Sequence, residues 1–246
     1  MCVKKFGVKI NYLYNSGFTV ETEKHFLIFD YFKDSVESGE KNISNGAIAL
    51  RDLNVGKDIL VFSSHSHEDH FNPVILSWLD EVDDINYILS SDIDIKEKDE
   101  RIHMISAYED MNVKDAYVKA CGSTDIGISF LVKVDGKTIF HAGDLNWWYW
   151  WDDTEEEIER AEKWFKEEIE RIKGEEIDIA FFPVDPRLEH NYHLGGEYFA
   201  REIRPRVLIP MHFGENYWVT GKFSEKVKDI PVRVVEISHR GQEIVL

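Results

Sequence analysis

The sequence predicts an α/β fold in which stacked sheets are covered by outer helices. Short apolar runs separated by turn residues recur up to residue 140, and helices then alternate with strands as far as the C-terminus. A block of strands followed by this alternation is typical of layered α/β folds. The sequence of 246 residues shows no internal repeat, low-complexity tract or linker, so we expect one domain over residues 1–246.

Apolar runs, either alternating with polar residues or continuous, predict the strands. In chain order they lie at residues 8–13, 18–21, 25–30, 59–62, 86–89, 101–105, 115–120, 126–134, 137–140, 177–182, 206–210, 232–237 and 242–246. The pair Asp135-Gly136 is a typical hairpin turn between two of them. The polar segment 33–57, rich in Gly, Asn and Ser, is predicted to be a loop.

Helices are predicted at residues 74–82, 154–173 and 195–203. Asn72 and Pro73 provide the first with an N-cap and a proline at the first helical position. In the second, apolar residues recur on one stripe and alternating charges cover the rest, which is the pattern of a half-buried helix. Asp153 is its expected N-cap, and Gly174 its expected end.

The composition excludes several classes of function. The chain has 29 basic and 47 acidic residues, a formal net charge of −18, so we expect neither nucleic acid nor membrane as a partner. Cys2 and Cys121 have no paired spacing and form no disulfide framework. Met1–Lys5 lacks the apolar region of a secretion signal, and no apolar run approaches the roughly 18 residues of a membrane span. We therefore expect a cytoplasmic protein.

The segment His65-Ser66-His67-Glu68-Asp69-His70 follows the apolar strand 59–62. Three imidazoles and two carboxylates within six residues would be costly to bury or charge together without a ligand, and they are the donors that transition metals prefer. His65 and His67 project to the same side of an extended loop, so both can reach one ion. Asp69 and His70 lie a turn further on and could serve a second ion.

This H-x-H-x-D-H pattern after a strand resembles the signature of the metallo-β-lactamase superfamily. The resemblance implies a four-layer αββα sandwich that binds one or two metal ions. It extends along nearly the whole chain, because further residues of the expected types follow later strands. These are Asp30 at the end of 25–30, His141-Ala142-Gly143-Asp144 after 137–140, and Pro210-Met211-His212 after 206–210.

The resemblance also implies roles for these residues. His65, His67, Asp69, His70, Asp144 and His212 would be the metal ligands, with Asp144 bridging two ions. Asp30 would support the metal loop, and His141 would either bind metal or support a ligand.

One expected histidine is missing. The family normally supplies an imidazole between the cluster and the Gly-Asp pair, where this chain has Cys121-Gly122-Ser123-Thr124-Asp125-Ile126-Gly127. Asp125, or else Ser123 or Thr124, could replace it directly or through water, or Asp125 could instead stabilise a Gly-rich turn. Zinc is the expected metal, with one or two ions, and manganese or iron are possible because oxygen donors would replace a nitrogen.

Two segments near these residues suggest contacts with a substrate. Trp147-Trp148-Tyr149-Trp150-Trp151 follows Asp144, so Trp147 and Trp148 could line a pocket, fix the long helix to its sheet or form a contact in a homo-oligomer. Arg187, His190 and His193 follow the strand 177–182 and could meet an anionic group, move a proton or support the ligands.

The resemblance implies a metal-dependent hydrolase acting on a small-molecule ester, lactone, thioester, amide or phosphodiester. Asp69 would orient the attacking hydroxide and is the expected catalytic residue. Length and ligand order are similar to those of short stand-alone hydrolases such as the ascorbate-lactone hydrolases. The alternative is a non-hydrolytic metal protein, a redox or sensing module on the same fold.

Overall fold

The structure is a computed structural model that describes residues 7–246, so the predictions for Cys2 and Met1–Lys5 lie outside the described residues. The described chain divides into two compact units. One comprises the residues up to Met104 together with His239–Leu246, and the other comprises Ile105–Ser238. Each unit is built on one seven-stranded mixed sheet.

The sheet of the first unit has the strand order β14-β1-β2-β3-β4-β5-β6. Its strands are β1 (Lys9–Tyr14), β2 (Gly17–Glu21), β3 (His25–Phe29), β4 (Asp58–Ser63), β5 (Ile85–Ser90), β6 (Ile102–Ile105) and β14 (Glu243–Val245). The strands β3, β4 and β5 are parallel neighbours, and their residues are almost all buried. Near-continuous apolar runs such as these are typical of parallel strands that are covered on both faces.

The sheet of the second unit has the order β13-β12-β11-β10-β9-β8-β7. Its strands are β7 (Asp110–Val113), β8 (Ala116–Cys121), β9 (Ser129–Val134), β10 (Lys137–His141), β11 (Ile179–Pro183), β12 (Val207–Met211) and β13 (Arg233–Val234). Antiparallel hairpins lead to β10, after which β10, β11, β12 and β13 are parallel.

The α-helices of the described chain all belong to the second unit. They are α1 (Glu155–Ile172), α2 (Leu194–Glu202) and α3 (Trp218–Lys226). The helix α1 places Phe165, Ile169 and Ile172 on its buried face, as the stripe predicts. No helix within residues 7–246 combines the length and apolar character needed to cross a membrane.

Most predicted elements are present, and the differences have local causes. The helix expected at 74–82 is a 3₁₀ helix, Pro73–Asp80, although Asn72 caps it as predicted. Thr154, not Asp153, caps α1, because Thr154 and Glu157 exchange the hydrogen bonds of a capping box. The prediction of a strand at 232–237 was too long, since only Arg233–Val234 pair with β12.

The residues of chemical interest follow the carboxyl ends of parallel strands within each sheet. In the first unit, Asp30 follows β3 and His65–His70 follows β4. In the second unit, Asp144, Asp185 and His212 follow β10, β11 and β12. The carboxyl ends of parallel strands meet at one edge of a sheet, which is where ligand sites form in open α/β folds.

Candidate metal centre

The loop after β4 holds four potential metal ligands, two of them buried. His65 and His70 are buried, Asp69 is half-buried and His67 is exposed. Nε2 of His65 lies 3.0 Å from Nδ1 of His67, and Oδ2 of Asp69 lies 3.6 Å from Nε2 of His70. Within the loop, His65 therefore lies beside His67, and Asp69 lies beside His70.

Asp30 makes hydrogen bonds to residues at both ends of this loop. Its buried carboxylate accepts hydrogen bonds from the backbone N–H and the hydroxyl of Ser64, each at 2.8 Å, and contacts Nδ1 of His70 at 2.8 Å. The residue adopts a left-handed conformation with a φ of 42°, which aspartate tolerates better than most residues. Asp30 therefore joins Ser64, just before the loop, to His70 at its end.

These contacts also fix which imidazole nitrogens can bind a metal. Nδ1 of His70 donates to Asp30, which leaves Nε2 with its lone pair. The hydroxyl of Ser64 donates to Asp30, so its oxygen can accept from Nδ1 of His65 at 3.0 Å. His65 then also presents Nε2 as its ligand atom.

Two further contacts that the sequence did not reveal complete the loop. The side-chain amide of Asn15 donates to Oδ2 of Asp69 at 3.1 Å. Asp92, which follows β5, accepts a hydrogen bond from the backbone N–H of Ser66 at 2.9 Å. Each of the three parallel strands of this sheet thus contributes a polar residue at its carboxyl end.

In the second unit, Asp144 and His212 form a buried pair. Oδ1 of Asp144 lies 3.3 Å from Nε2 of His212. His212 has a φ of 64°, so the backbone turns sharply as it leaves β12. The loop before Asp144 is supported by His141, whose Nδ1 accepts a hydrogen bond from the N–H of Gly143 at 3.2 Å. His141 is buried and stabilises this turn.

Asp185 supports His212 much as Asp30 supports His70. Its buried Oδ2 lies 3.0 Å from Nδ1 of His212, and its carboxylate also accepts a hydrogen bond from Nε of Arg187 at 2.8 Å. Burial would raise the pKa of Asp185, but the hydrogen bonds from His212 and Arg187 outweigh it and hold the pKa below its ordinary value. The charged carboxylate is the stronger acceptor for the N–H of His212.

The ligand pairs fit a transition metal. Donors at about 2.0–2.1 Å from a tetrahedral ion lie roughly 3.3 Å from one another, and the three pairs are separated by 3.0, 3.6 and 3.3 Å. With Nδ1 committed to Asp185, a neutral His212 turns a lone pair toward a carboxylate oxygen of Asp144. Two such atoms repel unless a cation lies between them, so the donor set fits a bound metal.

Several other predicted site residues are exposed or make contacts outside the ligand pairs. Asp125 is exposed, and its Oδ1 accepts a hydrogen bond from the N–H of Ile126 at 2.8 Å, which is the turn-stabilising alternative. His190 is exposed, whereas Nδ1 of His193 contacts Glu197 at 3.0 Å. The side chain of Arg187 contacts Asp185, and 60% of it is exposed to solvent.

Trp147 and Trp148 of the aromatic cluster have different surroundings. The ring of Trp147 packs against Phe165 and Tyr198, so it fixes α1 to α2. The ring of Trp148 instead lies edge-on to His212, 5.7 Å between centroids, and its indole N–H donates to the backbone carbonyl of Asp144 at 3.0 Å. Trp148 therefore borders the Asp144–His212 pair.

Comparison with known proteins identifies the family. The model of the beta-lactamase superfamily domain matches residues 9–162, more than half of the chain. The chain belongs to the metallo-β-lactamase superfamily. The predicted family and its α/β fold class are thereby confirmed, and the two mixed sheets agree with them.

Several solved structures resemble the chain over almost its whole length. Igni18, a metallo hydrolase from the archaeon Ignicoccus hospitalis, is 15% identical with a TM-score of 0.65, and the match covers 97% of this chain and 98% of that one. YhfI from Bacillus subtilis, a metallo-beta-lactamase fold protein, is 13% identical with a TM-score of 0.61 and coverages of 97% and 98%. CmlA, a diiron beta-hydroxylase from Streptomyces venezuelae, is 11% identical with a TM-score of 0.61, covering 97% of this chain and 54% of that one.

Proposed function

We propose that the protein is a metal-dependent hydrolase whose ligands are His65, His67, Asp69, His70, Asp144 and His212. The observation that carries the proposal is the pair of carboxylate-backed histidines. Nδ1 of His70 contacts the carboxylate of Asp30, and Nδ1 of His212 contacts that of Asp185. Both histidines are buried, lie at the carboxyl ends of parallel strands and present Nε2 as the ligand atom. Membership of the superfamily supports the same ligand set.

We assign to Asp69 the role of accepting a proton from the attacking water. When bound, the metal supplies Lewis acidity and lowers the pKa of a coordinated water. The Asn15 amide at Oδ2 fixes the rotation of the Asp69 carboxylate and therefore the direction of its second oxygen. That oxygen can accept a proton from the attacking water and hold the nucleophile in line.

Zinc is the metal that we propose, in one or two ions, because imidazoles dominate the loop after β4. Manganese or iron would suit the same mixed nitrogen and oxygen donors. We propose a small-molecule substrate with an ester, lactone, thioester, amide or phosphodiester bond.

A redox function is the second candidate. The fold similarity to the diiron hydroxylase CmlA motivates it. Iron in the purified protein with a visible absorption band and no hydrolysis would favour this candidate over ours.

The proposal is tested by metal quantitation followed by a screen of ester, lactone, thioester and phosphodiester substrates. We expect bound zinc and hydrolysis of at least one substrate class, with both reduced in His70→Ala and His212→Ala. His103→Ala is the matched control, since His103 contacts Asn86 on the neighbouring strand β5, away from the ligand loop. Equal metal content in all three variants would refute the assignment of the ligands.

A further inference from the structure

A small cavity lies between the aromatic segment after Asp144 and the helix α1. Its volume is about 200 Å³, and the rings of Trp148, Trp150 and Trp164 line it together with the small side chain of Ala161. Apolar cavities of about 150 Å³ hold a benzene molecule, whereas sites for drug-sized ligands begin at about 300 Å³. The cavity therefore has room for one ring with a small substituent.

The walls of the cavity favour an aromatic occupant. The rings of Trp148 and Trp150 are parallel, with an interplanar angle of 4° and 5.8 Å between centroids. Trp164 is 45% exposed, so a large apolar surface lies open on α1 beside the cavity. A ring placed against these indoles buries apolar area and can adopt the offset or edge-to-face geometry that aromatic pairs prefer.

The charged groups of the cavity favour a neutral occupant. Asp153, Glu157 and Arg160 line the cavity and give it a net charge of about −1, which disfavours an anionic group.

The cavity is adjacent to the Asp144–His212 pair. Trp148 forms part of the cavity wall, donates to the backbone carbonyl of Asp144 and lies edge-on to the ring of His212. We propose that the cavity binds a neutral, single-ring aromatic group of the substrate. The link to catalysis rests on the proposed function, whereas the binding of the ring does not.

The binding is tested by saturation-transfer NMR on the full chain as purified, with benzyl alcohol as the aromatic probe and isobutanol as the aliphatic control. We expect transfer to benzyl alcohol only. Ala161→Phe fills the cavity and should abolish the transfer, while Lys163→Phe should keep it, because the side chain of Lys163 is 78% exposed on the same helix. Trp164→Ala, at an exposed position, should weaken the transfer even if Ala161→Phe fails to fold.

The catalytic link is tested by the ratio of kcat/KM for phenyl acetate to that for methyl acetate. Ala161→Phe should lower this ratio about tenfold, which is about 1.4 kcal/mol, because the phenyl ring loses its contact with the indoles. Lys163→Phe should leave the ratio unchanged. If saturation transfer depends on Ala161 but no ester, lactone, thioester, amide or phosphodiester is hydrolysed, the binding site is supported and the hydrolase is refuted. If Ala161→Phe hydrolyses esters with an unchanged kcat/KM ratio and still shows saturation transfer to benzyl alcohol, the inference is overturned and the hydrolase stays intact.

Discussion

Oδ2 of Asp185 lies 3.0 Å from Nδ1 of His212, across two neighbouring parallel strands of the same sheet. The carboxylate fixes the tautomer and the ring orientation of the histidine before any ligand arrives. Nε of Arg187 donates to the same oxygen at 2.8 Å and helps to keep the carboxylate charged. Asp185 is thus a positioning residue that acts through His212.

The first prediction concerns Asp185→Asn. The neutral amide is a weaker acceptor for the N–H of His212, so metal affinity should fall 10–100-fold while the fold is retained. Competition with a chromophoric chelator measures the change. Asp178→Asn is the control, because Asp178 precedes β11 at the end opposite to Asp185 and accepts a hydrogen bond from the N–H of Thr138 on β10. Equal affinities in the two variants would contradict the role of Asp185.

The second prediction concerns Asp30→Asn. An amide cannot accept all the hydrogen bonds that the carboxylate receives from Ser64 and His70, so one of them should be lost. Leaving a buried donor unsatisfied costs about 1–3 kcal/mol, and thermal unfolding should report a lower midpoint. Metal affinity should fall as well. Ser64→Ala removes only the hydroxyl contacts and should have the smaller effect on both measurements.

The sequence indicates the proposed ligands more directly than the residues that support them. His65–His70 stand out because three imidazoles occur within six residues, and Asp144 and His212 follow from the family pattern. Asn15, Asp92 and Asp185 make their contacts across strands that are distant in sequence. In the sequence, each of them resembles an ordinary turn or strand-end residue. Its contact can be predicted only when the register of the sheet is known.

Some elements of the fold also could not be predicted from local sequence alone. The strand β7 and the helix α3 were not predicted, because neither has a clear apolar period. The segment of α3, WVTGKFSEK, contains a glycine and β-branched residues that disfavour an isolated helix. Contacts of its buried Val219, Thr220 and Phe223 within the unit stabilise it instead.

The third prediction concerns Asp69→Asn. The fold should be retained, since Asp69 is half-buried and an asparagine can keep the contacts with Asn15 and His70. Hydrolysis should fall at least about 100-fold, because the amide cannot take the proton of the attacking water. Glu68→Gln, an exposed neighbour in the same loop, should leave the rate unchanged. A rate that survives in Asp69→Asn would remove Asp69 from the proposed mechanism.

The last prediction concerns the missing histidine and Asp125. His65 and His67 lack the third imidazole that the family supplies, so we expect a chelator titration to remove metal in two steps, the weaker ion leaving first. Asp125 is exposed and bonded to the N–H of Ile126, so Asp125→Ala should leave both steps unchanged and lower the free energy of unfolding by about 1 kcal/mol. His67→Ala is the positive control and should abolish the first step. If Asp125→Ala weakened the first step, the turn must rearrange on metal binding, and Asp125 would replace the missing imidazole.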